Sequence, residues 1–166
     1  DKIIAFPSTY VWKMKNYGEV DITGIDVTLA TAIPLAEKIS MNLSGNYSWQ
    51  KAIDVTNPEA KNYKHQLPYT PEHNGNVSAT IEMPWVNVGY TVTMVGKRYY
   101  LAQNIPANEI EGYNEHTATL WREFKFKKCG LRLQAEVINL TDAQYDVIKY
   151  YPMPGRSWRF TGIFNF

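Results

Sequence analysis

Four side chains near one stretch, Glu59, His65, Glu72 and His73, have the chemistry to ligate a metal or grip a ligand. Imidazole and carboxylate are ordinary metal donors, but ordered sites place them at recurring short intervals. This spacing matches no such interval, so these residues read as solvated side chains flanking a long loop. His116 stands at the expected start of a strand and earns no more. Cys129 follows Lys127 and Lys128, whose charge would lower a thiol pKa. A single cysteine, however, has no partner for an internal disulfide or a metal site. The glycines show no phosphate-cradling interval, and Gly45, Gly89 and Gly162 are expected to relieve crowding within strands. No catalytic constellation emerges. The sequence reads as a non-enzyme, with no cofactor and no metal expected.

The elements around these residues are more informative. In KISMNLSGNYSWQ, residues 38–50, the odd positions Ile39, Met41, Leu43, Gly45, Tyr47 and Trp49 are apolar, aromatic or Gly. The even positions Ser40, Asn42, Ser44, Asn46, Ser48 and Gln50 are small and polar. The same alternation returns in GNVSATIEM, VNVGYTVTM and LRLQAEV. Period-two patterning of this length marks strands with one apolar and one wet face. Breakers between the runs predict about eight strands, near 8–17, 19–34, 38–53, 74–84, 86–101, 114–128, 130–147 and 156–166. No window sustains a helical period, so an all-β antiparallel up-and-down meander is expected. Three connections read as tight: Pro34-Leu35-Ala36-Glu37, Pro84-Trp85 and Lys127-Lys128-Cys129-Gly130. The alternate ones, 54–73, 102–113 and 146–155, are long. Short turns at one end and long loops at the other are how outer-membrane barrels are built.

Composition narrows the partners. Seventeen Lys and Arg against 16 Asp and Glu give a formal charge of +1, which argues against a nucleic-acid partner. A mean hydropathy of −0.37 excludes a helical membrane span but not a barrel, whose alternating strands average out. The chain opens on Asp1 without a targeting stretch, and is expected to be a processed protein or a piece of a longer one.

Which face meets what is decided by three details. The wet face carries Ser, Thr, Asn and Gln rather than many charges, as suits a hydrated lumen. Several runs exceed the ~9–11 residues of a membrane-crossing strand. Aromatics gather at run ends (Tyr47 and Trp49, Trp85, Tyr99 and Tyr100, Tyr150 and Tyr151), where interfacial girdles form. Lipid is therefore the expected neighbour of the apolar face. Arg122 falls on that face and is expected near an interface, whereas Glu123 and Lys125 sit on the wet side. The last strand, SWRFTGIFNF, aligns Trp158, Phe160, Gly162, Phe164 and Phe166 on one face.

At this point the chain resembles the C-terminal part of a TonB-dependent outer-membrane receptor. The strongest stretch is residues 137–166, with Asn139-Leu140, Asp142, Tyr145, Pro152-Met153-Pro154-Gly155-Arg156 and an aromatic strand closing on Phe166. NYGEVDITGIDV at 16–27 and LPYTPEH at 67–73 are also similar to the family, with Asp26 standing where Glu is more typical. The resemblance implies a plugged barrel of about 22 strands. It implies an outer-membrane receptor of a Gram-negative bacterium that takes up a scarce nutrient, an iron chelate, haem or cobalamin. The nutrient would meet the outer loops and the plug, and an inner-membrane energy-coupling protein would pull on the plug. Trp158, Phe160, Phe164 and Phe166 match the family's outer-membrane assembly signal. Residues 1–166 would be a single C-terminal barrel segment, with the plug and the remaining strands absent, and such a fragment is expected to self-associate. Two other readings stay open on the residues alone: a complete small eight-stranded outer-membrane barrel with a structural or adhesion role, and a soluble lipocalin-like binding barrel.

Overall fold

The computed structural model describes residues 2–7, 12–127 and 129–166. Its strands are β1 (Lys2–Pro7), β2 (Trp12–Tyr17), β3 (Val20–Ala36), β4 (Ile39–Asp54), β5 (His73–Glu82), β6 (Asn87–Val95), β7 (Arg98–Tyr99), β8 (Glu109–Ile110), β9 (Tyr113–Lys125), β10 (Gly130–Ile138), β11 (Asp146–Ile148), β12 (Tyr151–Pro152) and β13 (Ser157–Asn165). Among the described residues the only helical element is a 3-10 turn at Pro106–Asn108. Seven strands form one antiparallel sheet in the order β13-β10-β9-β6-β5-β4-β3. β1 and β2 make a separate hairpin, and β7–β8 and β11–β12 are small pairs within loops. The sheet is open, with β3 and β13 as its edges.

Register carries the sequence alternation across the whole sheet. Ile25 pairs with Trp49, Val27 with Tyr47, and Ile33 with Met41, which in turn pairs with Ile81. Ile81 faces Val88, Val88 faces Leu120, Leu120 faces Ala135 and Ala135 faces Phe160. Since a one-residue slip would turn a strand's apolar set to the other side, this agreement fixes one greasy face and one polar face over seven strands. The polar face runs Thr28, Asn46, Asn76, Thr93, Glu115 in one continuous row. Among the described residues the greasy face is left open: Leu29 is 72% exposed, Trp158 66% and Phe160 77%. Among the described residues the buried apolar side chains are few, Ala52, Leu67, Pro68 and Ile110, all toward the end with the long loops.

The strand boundaries depart from the sequence pattern in several places, and β1 (Lys2–Pro7) lies ahead of the first expected strand. Of the expected strand 8–17, residues 8–11 lie outside the described residues, as does Lys128 of the third turn. The first tight turn is Glu37-Lys38, and Pro34 stays inside β3 beside a register shift. Pro is tolerated there because β3 is an edge strand and needs no donor on its open side. The strand expected over 86–101 stops at Val95, and the one expected over 130–147 stops at Ile138. Asn139 takes a left-handed backbone, φ 53°, which ends the ladder. The long loops are therefore 55–72, 96–112 and 139–156, two of them longer than expected.

Arg122 is exposed on the greasy face, paired with Leu133 and three positions from the end of β9 at the short-turn end. Glu123 and Lys125 are on the polar side. There Arg132 lies 4.0 Å from Glu123, and Arg159 is ion-paired with Glu136.

Candidate functional site

The three long loops all emerge at one end of the sheet and are bonded into a single cap. The first, 55–72, folds back along β4: the Leu67 amide donates to the Ala52 carbonyl at 2.8 Å, and the Asp54 amide to the His65 carbonyl at 3.1 Å. Gln66 is buried and accepts from the Ala52 amide at 2.9 Å. It crosses to the second loop, where its own amide donates to Asn104 Oδ1 at 2.6 Å. The Tyr69 amide donates to the Tyr99 carbonyl at 2.7 Å, adding a second tie.

Arg98 joins the second loop to the third. Its buried guanidinium donates to the Val147 carbonyl at 3.0 Å, to the Asp146 carbonyl, and to the Glu111 carbonyl at 3.4 Å. It also lies 5.6 Å from the centre of the Tyr113 ring. Burial pulls its pKa below the usual guanidinium value, while Tyr113, Tyr69 and Asp146 favour the charged form. A guanidinium keeps its charge in such a place because its donors fan out to several carbonyls at once. Replacing Arg98 by Lys keeps the charge but not the fan. The expected result is about 2 kcal/mol less protection against hydrogen exchange in residues 98–111 and 146–152, with the sheet amides unchanged. Equal protection in both proteins would show that Arg98 does not latch the loops.

The third loop, 139–156, is built by residues that the sequence singles out. Asn139 is 1% exposed; its side chain donates to the carbonyls of Ala143 at 2.9 Å and Pro154 at 3.4 Å, and accepts from the Ala143 amide at 2.8 Å. Asp142 accepts from the Arg156 amide at 2.8 Å, and Arg156 Nε returns to the Leu140 carbonyl at 3.0 Å. Tyr145 stacks on Tyr113, with ring centres 3.9 Å apart, and its hydroxyl donates to the Glu115 carboxylate. Burial, then that carboxylate, hold the Tyr145 phenol well above its usual range. These contacts fold the loop inward over the polar face of β9.

Between the second and third loops lies a cleft of about 480 Å³, lined by Glu109, Glu111, Gln144, Asp146 and Lys149 among others. Beside it, Tyr100 and Tyr150 meet edge-on at 6.3 Å, and the Lys149 ammonium sits 5.9 and 5.7 Å from their ring centres. Tyr150 and Tyr151 are exposed. The arrangement offers aromatic faces, one ammonium and several carboxylates to a ligand.

The histidines are not brought together. His65 Nδ1 accepts from the Asn104 amide at 3.2 Å. His73 Nδ1 is hydrogen-bonded to the Tyr47 hydroxyl at 2.7 Å, and His116 Nδ1 to the Tyr90 hydroxyl at 2.7 Å. Both of these pairs lie on the greasy face near the loop end, a use that the expectation of solvated loop histidines missed for His73. Among the described residues no group of three or more His, Cys, Asp or Glu is placed to hold a metal ion. Trp158, Phe160, Phe164 and Phe166 all lie exposed along the greasy face of β13 or just past its end.

A long-stranded antiparallel wall, greasy outside its loops and polar behind, with its long loops knitted together at one end, defines a β-barrel membrane protein segment. The chain belongs to the TonB-dependent receptor-like β-barrel family, whose family model matches residues 1–140. That family is one of transport receptors rather than enzymes. Solved structures share the fold at low sequence identity. The ferric preacinetobactin receptor BauA of Acinetobacter baumannii superposes with a TM-score of 0.75 at 16% identity, covering 99% of this chain and 25% of that one. The siderophore receptor PiuA of the same species gives 0.69 at 19%, covering 98% and 24%. The ferric-catecholate import receptor Fiu of E. coli K12 gives 0.66 at 20%, covering 97% and 23%. The chain thus spans about a quarter of the length of these receptors. No curated protein matches it in sequence.

Proposed function

We propose that residues 1–166 are the C-terminal wall of a plugged, energy-coupled outer-membrane receptor, the plug and remaining strands belonging to the rest of a longer polypeptide. In this reading the greasy face meets the lipid of a Gram-negative outer membrane and the Ser/Asn/Thr face lines the lumen. The knitted loops face the outside and share the nutrient with the plug. An inner-membrane energy-coupling protein pulls on that plug. Of iron chelates, haem and cobalamin, iron chelates are favoured by the named relatives, which are ferric preacinetobactin, siderophore and ferric-catecholate receptors. Trp158, Phe160, Phe164 and Phe166 serve as the assembly signal, and the isolated chain self-associates through the same uncovered face.

One observation carries the reading: an apolar face in register across seven strands, with at least one large apolar side chain exposed on each of them. A soluble barrel turns such a row inward, and a membrane barrel turns it to hydrocarbon. The test places single cysteines at Leu43 and Ser44 of the intact receptor, in a Cys129→Ser background, in Gram-negative cells. A water-soluble maleimide should label position 44 and spare position 43. The opposite pattern would end the membrane reading. Uptake of a ferric siderophore by the same cells, absent without the receptor, tests the cargo.

A further inference from the structure

Arg122 is the single charged residue on the apolar rows of β9, β10 and β13. Among the described residues no carboxylate lies within ion-pair distance of it. Its guanidinium is held 4.9 Å from the centre of the Phe124 ring, which leaves its edges free. Directly beside it runs a trough of about 450 Å³, lined by Leu120, Arg122, Phe124, Leu133, Phe160 and Gly162. The trough exists because Gly162 lies opposite Leu133, so β13 has no side chain between Phe160 and Phe164 on that face. A cation beside an apolar trough fits a molecule with an anionic head and a hydrocarbon tail.

We propose that this is a binding site for an anionic phospholipid of the leaflet at the short-turn end. Its phosphodiester sits on Arg122 and one acyl chain fills the trough against Leu120, Leu133 and Phe160. A guanidinium suits a phosphate because two of its N–H groups can donate to two oxygens together. A free phosphate ion would gain the charge but leave the apolar walls empty, so the lipid is the occupant. The zwitterionic lipids are disfavoured because, among the described residues, no carboxylate on the apolar rows of β9, β10 and β13 receives their ammonium group. The proposal rests on the reading that this face meets lipid.

The test uses the intact receptor containing this chain, in detergent, with phosphatidylglycerol and phosphatidylcholine of matched chain length competing for it in native mass spectrometry. Phosphatidylglycerol should be retained about fivefold over phosphatidylcholine, the scale of one cation at an anionic surface. In Arg122→Gln that ratio should fall to near one, Arg122→Lys should keep part of it, and Phe160→Ala should weaken both lipids alike. A wild-type ratio near one, or an unchanged ratio in Arg122→Gln, overturns the site. A nitroxide at Phe160→Cys in the Cys129→Ser background separates the two levels. Relaxation by oxygen with an unchanged lipid ratio defeats only the Arg122 site. Relaxation by a water-soluble nickel chelate defeats the lipid-facing reading and the site with it.

Discussion

Replacing Asn139 by Ala should cost about 4 kcal/mol, because it strands two backbone groups of Ala143 at about 1–3 kcal/mol each and adds left-handed strain of about 1 kcal/mol. The side chain is fully enclosed and bonds Ala143 in both directions, so one truncation removes both bonds together. The backbone at φ 53° is one that Asn adopts more readily than most residues, since its short amide bonds locally. Two further variants separate these causes. Asn139→Gly removes the bonds and keeps the conformational freedom, so it should be less damaging than Ala by about 1 kcal/mol. Asn139→Asp keeps the acceptor for the Ala143 amide but turns a buried carboxylate oxygen toward the carbonyls of Ala143 and Pro154, so it should be destabilised as well, and less so as pH falls and the acid protonates. Urea unfolding followed by tryptophan fluorescence should place wild type above Gly and Gly above Ala. If Ala stood within about 0.5 kcal/mol of wild type, as ordinary surface changes do, Asn139 would not hold the loop.

That residue also marks where the sequence is legible and where it is not. The stretch with Asn139-Leu140, Asp142, Tyr145 and Pro152–Arg156 is visible as a motif, yet its spacing does not disclose what it does. In the folded chain its members bond one another and β9: Asn139 to Ala143 and Pro154, Asp142 to Arg156, Arg156 to Leu140, Tyr145 to Glu115. They close a loop rather than touch a ligand. The family model stops at residue 140, so most of this stretch lies beyond its match, although the superposed receptors cover nearly all of the chain. The boundary error follows from the same cause. Period-two alternation slips phase at Val137-Ile138 and resumes at Ala143, Tyr145 and Val147, so the pattern can be read through the slip; the left-handed turn at Asn139 is what ends the strand there.

The sheet itself was readable because its cause is local and repetitive. Each strand announces its own facing, and the register then has one solution that keeps every apolar row together. The cap was not readable, since its ties join residues distant in sequence: Arg98 to Val147, Gln66 to Asn104, Tyr69 to Tyr99. No alternation predicts a guanidinium reaching three carbonyls of two loops. The Tyr47–His73 and Tyr90–His116 pairs fall between these cases. Each joins adjacent sheet strands on one face, diagonally offset, and diagonal neighbours in a known register are within reach of an aromatic side chain.

Glycine gives the sharpest test of that register. Gly45 and Gly162 have room for a methyl group: a Cβ would meet its nearest neighbours at 3.5 and 3.8 Å, ordinary contact, and only at Gly89 is the fit tight, 3.3 Å from the Trp121 ring. The closest backbone approach at any glycine among the described residues is at Gly75, which the alternation pattern passes over. A Cβ there would drive into the Asn46 carbonyl oxygen and stand 3.2 Å from Tyr47 Cα, both backbone atoms that cannot rotate away. Gly75 is buried and pairs directly with Tyr47, whose hydroxyl reaches His73 two residues along the same face. The tyrosine ring therefore passes over the glycine. Gly75→Ala must part β4 from β5 locally, at about 3 kcal/mol for overpacking against a rigid neighbour. Gly45→Ala, two positions along β4 from Tyr47, should be neutral or stabilising by up to about 1 kcal/mol through its smaller unfolded-state entropy. Measured side by side by urea unfolding, the two alanines place a methyl group on neighbouring rows of the β4–β5 ladder, one opposite Val77 and one opposite Tyr47. Equal stability of the two would mean that Tyr47 and Gly75 are not partners, and the register built on them would have to shift.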